Sequence, residues 1–90
     1  MKYAIETTRQ FDRDLKVARR RGKNLAKLWT IVELLAGGET PGLRHRPHKL
    51  SGEWRNFWEC HIEPDWLLIW HIRADTLVLV RLGTHADLFG

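Results

Sequence analysis

Residues 54–82 of this chain are three β-forming runs joined by turns too short for anything but hairpins. Trp54 to Ile62, Trp66 to Arg73 and Thr76 to Leu82 are rich in aromatic and branched residues, and only Glu63-Pro64-Asp65 and Ala74-Asp75 stand between them. A parallel return needs a crossover of about a dozen residues or more, so these connections join antiparallel neighbours. The runs form a meander. That feature excludes an all-helical fold and makes the second half of the chain a small sheet.

Tyr3 to Thr7 reads as a further short strand. Thr8 is placed to cap a helix whose apolar stripe is Phe11, Leu15 and Ala18. Arg19-Arg20-Arg21-Gly22 ends it, with cations favoured by the C-terminal dipole and then a glycine stop. Asn24 caps a second helix. Leu25, Leu28, Trp29, Val32 and Leu35 share one face of it, Ile31 and Leu34 widen that face, and Gly37-Gly38 closes it. With Gly22 between them, the two helices form an antiparallel hairpin. Residues 37–50, with Pro41, Gly42 and Pro47, read as an irregular basic connector carrying Arg44, His45, Arg46, His48 and Lys49. The order is β-α-α-β-β-β, a single α+β domain over residues 1–90 with a helical hairpin on a small, mostly antiparallel sheet. The helices are expected to cover one sheet face and leave the other partly open for a site.

A two-residue turn at Ala74-Asp75 pairs Arg73 with Thr76, Ile72 with Leu77, Trp70 with Leu79 and Leu68 with Arg81. Alternation then assigns Leu68, Trp70, Leu79 and Arg81 to the open face, with His85 beyond them if the extended chain continues. Leu67, Ile69, Val78, Val80 and Leu82 fall under the helices. On the first run, Trp58, Cys60 and Ile62 make an apolar side, and Arg55, Glu59 and His61 a polar one.

Charge is unevenly placed. Residues 1–50 carry 12 Lys or Arg against 5 acids, an excess of +7, and residues 51–90 carry 3 against 6. A basic half suits phosphate or an acidic protein partner. The stripe Arg9, Arg13, Lys16 and Arg20 reads as a solvated helix face before a binding stripe. No apolar run approaches a bilayer span, no secretory signal opens the sequence, and the single cysteine, Cys60, excludes an internal disulfide framework. The expectation is a cytoplasmic protein with no membrane partner.

His48, His61, Asp65 and His85 carry the chemistry. Imidazole gives or takes a proton near neutrality, with a resting pKa of roughly 6.5. Three of them with a carboxylate, on a basic chain, suit acid–base work on an anionic polymer. His45 and His71 read as ordinary surface histidines. Cys60 and His61 are adjacent, so on a strand they point to opposite faces, and the paired short spacings of structural zinc sites are lacking. No metal and no cofactor are expected. Spacing alone leaves a nuclease and a nucleic-acid binder both open.

His61-Ile62-Glu63-Pro64-Asp65-Trp66-Leu67-Leu68-Ile69 and Gly83-Thr84-His85-Ala86-Asp87-Leu88-Phe89-Gly90 narrow the choice, together with Leu50-Ser51-Gly52-Glu53-Trp54 after His48. In these segments the chain resembles the YafQ-type toxins of the RelE superfamily, the mRNA interferases of bacterial toxin–antitoxin pairs. The helices match that family in pattern only.

The resemblance implies a RelE-like fold and a metal-independent endoribonuclease that cuts mRNA in the ribosomal A site. A cognate antitoxin holds such toxins inactive, and operator DNA is reached only through the antitoxin complex. It also implies His48, His61, Asp65 and His85 as catalytic positions, with His85 as general acid and Asp65, slightly favoured, or His61 as general base. Phe89 would support the substrate, Trp66 would help shape the site, and Arg81 would join His48 at the phosphate. Asp87 stands where the family commonly has a small residue, and its charge is expected either to raise the pKa of His85 or to weaken phosphate binding. The competing reading is a catalytically inactive relative that only binds its antitoxin.

Overall fold

The computed structural model describes residues 2–90. Strand β1 (Ala4–Thr7) leads into helices α1 (Arg9–Arg20) and α2 (Leu25–Ala36). A short 3-10 turn (Leu43–His45), β2 (His48–Lys49) and a second 3-10 turn (Gly52–Trp54) follow. Then come β3 (Trp58–Glu63), β4 (Trp66–Arg73), β5 (Thr76–Gly83) and α3 (His85–Phe89). The five strands lie in the order β1-β5-β4-β3-β2, parallel between β1 and β5 and antiparallel elsewhere. The helices begin where expected. The Thr8 hydroxyl accepts from the Phe11 N–H at 3.0 Å, and Asn24 Oδ1 from the Ala26 N–H at 3.1 Å.

One core lies between the helical hairpin and the sheet. Phe11, Leu28, Ile31, Val32 and Leu35 meet Cys60, Ile62, Leu68, Trp70, Leu77, Leu79 and Leu82 there. The other sheet face is covered as well. Leu67, Ile69 and Leu88 form a second small core under Leu50, Trp54, Phe57 and Val80. This corrects the expected faces: Leu68, Trp70 and Leu79 lie under the helices, and Leu67, Ile69 and Val80 do not. Because both faces bury apolar side chains, apolarity could not tell them apart.

The expected β4–β5 register holds from Arg73–Thr76 to Trp70–Leu79 and then shifts, so that Ile69 pairs with Arg81 and Leu68 with Leu82. One extra residue in a strand reverses every facing beyond it. Residues 54–57 are not strand, and β3 begins at Trp58. The connector contributes β2, which pairs His48 with Glu59. The chain after Gly83 is helical rather than extended.

Candidate active site

His61 alternates with the buried Cys60 and Ile62 of β3, so it faces away from the long helices. Its Nδ1 lies 3.0 Å from the Pro64 carbonyl of the following turn. A carbonyl only accepts, so Nδ1 carries the proton and Nε2 the lone pair.

The same turn presents Asp65 to the start of α3. Its Oδ1 accepts the His85 backbone N–H at 2.9 Å and lies 3.0 Å from His85 Nδ1. The backbone bond first, and the ring bond second, hold this carboxyl below its ordinary value. They also fix the His85 ring with Nδ1–H toward Asp65 and Nε2 outward. The His61 and His85 ring centroids are 5.7 Å apart.

Helix α3 is where it is because Thr84 caps it. The Thr84 hydroxyl accepts the Asp87 N–H at 3.1 Å, and Asp87 accepts the Thr84 N–H at 2.9 Å. Gly83 permits the close approach, since a Cβ there would stand 2.8 Å from the Asp87 Cβ. Asp87 also takes Arg21 Nη1 at 2.6 Å, and the guanidinium holds its carboxyl far below the usual carboxylate range. Its charge is thus paired with Arg21 at the end of α1, and it still acts on Asp65, where it opposes the lowering by His85.

His48, in β2, has Nδ1 hydrogen-bonded to the Arg46 carbonyl at 2.7 Å, and its Nε2 lies 3.3 Å from Glu59 Oε1, a longer contact at ion-pair distance. Glu59 is 4% exposed, and its Oε2 has no hydrogen-bond partner among the described residues. One donor atom each from Glu59, His61 and His85 lie within 4.8 Å of one another. The structure thus joins His48, His61, Asp65 and His85 into one cluster around Glu59. Phe89, 47% exposed, stands one turn beyond His85 with ring centroids 6.3 Å apart, and packs edge-on against Trp54.

Two expected substrate residues lie elsewhere. Trp66 is 1% exposed in the helix-side core, because it follows Asp65 directly and points to the other face. Arg81, displaced by the register shift, gives Nε to Asp14 of α1 at 2.8 Å and Nη2 at 3.4 Å. Asp14 also accepts the Leu82 N–H at 3.0 Å, so the pair seals the β5 edge beyond β1.

Two residues went unassigned in the sequence. Glu59 shares the His61 face by alternation, but its burial was invisible. His45, read as a surface residue, has Nδ1 2.7 Å from the His61 carbonyl, beside the β3 irregularity between His61 and Glu63. No sequence signal pointed to that contact. One carboxylate and two imidazoles suit a borderline transition-metal ion. Glu59, His61 and His85 are thus a donor set that the sequence did not offer. Cys60 is not part of it, since burial, with Glu59 adding, pushes its thiol up to about 12.

A family model described as "Bacterial toxin of type II toxin-antitoxin system, YafQ" matches residues 3–90. The mRNA interferase toxin YafQ of Escherichia coli K12 is 38% identical over 87 residues, covering 96% of this chain and 95% of that protein. YafQ in the E. coli DinJ–YafQ complex superposes with a TM-score of 0.89 at 37% identity, covering 98% of this chain and 99% of that one. A copper-bound mutant toxin from Helicobacter pylori superposes with a TM-score of 0.93 at 31% identity, covering 97% and 99%.

Proposed function

Because the chain belongs to the YafQ family of bacterial type II toxins, we propose that its histidine cluster cuts messenger RNA by internal transesterification. It is the toxin of a toxin–antitoxin pair and an mRNA endoribonuclease. The observation that carries the mechanism is the pair of outward Nε2 atoms on His61 and His85, each oriented by a bond to its own Nδ1.

Neutral His61 Nε2 takes the proton of a ribose 2′-hydroxyl. The oxygen attacks the adjacent phosphorus in line, and the 5′-oxygen leaves. Protonated His85 gives that oxygen the Nε2 proton, so a 2′,3′-cyclic phosphate and a 5′-hydroxyl result. Each such proton transfer contributes about 10²–10⁴-fold. The resemblance slightly favoured Asp65 over His61 as the base. The two His85 bonds at Asp65 and its lowered pKa favour Asp65 as the group that orients His85, and His61 as the base. His48, between Arg46 and Glu59, faces the charge that builds on the phosphate oxygens. Phe89 braces a base beside the cut.

The step draws its nucleophile from the substrate and needs no metal. An ion on Glu59, His61 and His85 would occupy the His61 lone pair that acts as base and displace the His85 proton that acts as acid, so this reading makes metal an inhibitor. A solved relative from Helicobacter pylori is copper-bound, which supports metal binding by a chain of this fold. In this reading the ribosome delivers the message in its A site already ordered, which lowers the entropy cost of alignment for so small a protein. The antitoxin holds the toxin inactive, and operator DNA is met only in their complex. The setting is the cytoplasm. Among the described residues no helix is long and apolar enough to cross a membrane.

The test is a ribosome-programmed message with one 2′-deoxy nucleotide 5′ of the scissile phosphate. Cutting there should stop, and the unmodified message should leave a 2′,3′-cyclic or 3′-phosphate upstream. An upstream 3′-hydroxyl, or normal cutting of the deoxy message, would make water the nucleophile and remove these roles. Expression without antitoxin should arrest growth. Normal growth with soluble protein would instead favour the inactive binder.

A further inference from the structure

Apart from His48, the basic connector has no part in the mechanism, yet it lines a cavity of about 510 Å³ that shares His61 with the cluster. Lys27 and Thr30 of α2 form one wall, Arg44 and Arg46 another, and the His61–Pro64 end of β3 closes it. Its one acid, Glu63, is bonded by Lys23 and by Lys27 at 3.1 Å each, and these bonds hold its carboxyl below the ordinary range. Arg44 and Arg46 are exposed, and neither is in an ion pair among the described residues. The wall therefore has cations in excess and no acid left over.

The connector is also tied to the cluster residue by residue. Arg44 Nε donates to His45 Nε2 at 3.2 Å, so His45 Nδ1 carries the proton given to the His61 carbonyl. The Arg46 carbonyl accepts from His48 Nδ1. Arg46 achieves this with φ 46° and ψ 52°, a left-handed conformation costly for a residue with a Cβ. Backbone held in such a region by its own bonds is characteristic of functional sites. Here it leaves the Arg46 guanidinium, unpaired among the described residues, on the wall of the cavity that His61 also lines.

We propose that this cavity is a nucleotide subsite. Resting on the mRNA-cleavage reading, it takes one nucleotide of the message flanking the scissile bond. Arg44 and Arg46 hold that nucleotide's phosphate and the cavity receives its base. The guanidinium fork matches a phosphodiester bidentately. Ligand cavities commonly measure about 300–1,000 Å³, and single-stranded RNA is read by splaying bases into such spaces. Continuity with His61 favours RNA over an acidic side chain of the antitoxin.

The test compares wild type with Arg44→Gln/Arg46→Gln and, separately, with Thr30→Trp, which fills the cavity from α2 without touching the connector. Three quantities are measured: kcat and KM on a ribosome-programmed message, affinity for a short RNA oligonucleotide carrying a 2′-deoxy block at the cut, and affinity for the antitoxin. The double variant should bind the oligonucleotide about tenfold or more weakly, with a salt slope shallower by about 0.7 for one lost phosphate contact on a single strand. The cleavage defect should fall on KM more than on kcat, and antitoxin affinity should hold. Thr30→Trp should lose oligonucleotide affinity with the salt slope unchanged, and Arg44→Lys/Arg46→Lys should recover part of the loss. Unchanged oligonucleotide affinity and KM in folded variants would overturn the subsite. So would a loss confined to the antitoxin, or one confined to ribosome binding. Wild type that cuts no message would refute the mRNA reading itself, whereas cutting wild type with unaffected variants refutes only the subsite.

Discussion

Replacing Glu59 with Leu is expected to make this protein more stable and less active. Glu59 is almost wholly buried, and its Oε2 meets no hydrogen-bond donor among the described residues. A buried polar atom left unsatisfied costs about 1–3 kcal/mol. Against that stands the contact of Oε1 with His48, whose side chain is half exposed. An ion pair with a half-exposed partner is worth roughly 0.2–1 kcal/mol, and the freed imidazole can return to water. Leu at 59 would also sit opposite the buried Ile69 of β4. The balance is a gain of about 1–2 kcal/mol. In a domain of this size each 1 kcal/mol moves Tm by about 4–8 °C. Circular-dichroism melts at neutral pH would read the gain. Ribosome-programmed cleavage should fall by about tenfold or more, because His48 loses the anion that fixes its second nitrogen. Glu59→Gln, which keeps the shape and removes the charge, should share the loss of activity. A lower Tm for Glu59→Leu would mean that Oε2 is satisfied by bound water. Undiminished cleavage would mean that His48 needs no carboxylate.

His85→Ala should reduce cleavage by about 10²–10⁴-fold, with stability moved by less than about 0.5 kcal/mol for so exposed a residue and antitoxin binding retained. A large fall in Tm would instead make His85 structural. Zn²⁺ or Cu²⁺ should bind the purified toxin by calorimetry and suppress cleavage, with binding lost in His61→Ala. Full activity with the ion bound would separate the donor set from the catalytic one. Asp87 has a folded pKa held below its unfolded value of about 3.8, so the Arg21 pair stabilises above about pH 4 and is lost as pH falls through the folded value. Asp87→Asn should lower Tm at neutral pH and flatten its decline in acid, and an unchanged acid slope would count against the pair.

The meander, the two capped helices and the turn positions were legible because each rests on local chemistry: Thr8 and Asn24 as caps, Pro64-Asp65 and Ala74-Asp75 as turns. What was not legible depends on distant partners. β2 is two residues long and exists because His48 and Lys49 find the free edge of β3. Arg81 looked like a site residue only while β5 was taken as regular, and the partner that claims it, Asp14, is 67 positions away. The histidines proposed as catalytic could be picked out by residue type, whereas Glu59 and His45 are marked only by burial and a single long-range bond. Asp87 looked like a burden on the site, and only the fold brings Arg21 to it.

The parallel pairing of β1 with β5 gives the toxin a timetable. Ala4 has no strand partner until Thr76 exists, and the Thr8 hydroxyl waits for the Val80 carbonyl, 72 residues later, at 2.8 Å. Synthesis adds about 5–20 residues each second, so the first strand and both long helices are made well before the strand that locks them to the sheet. Contacts of such long sequence separation form late in folding. His85 comes later still, carried on the helix after that strand. A chain cut short before residue 76 lacks the sheet closure together with His85 and Phe89. On the proposed mechanism, fragments from a damaged message would therefore be inactive.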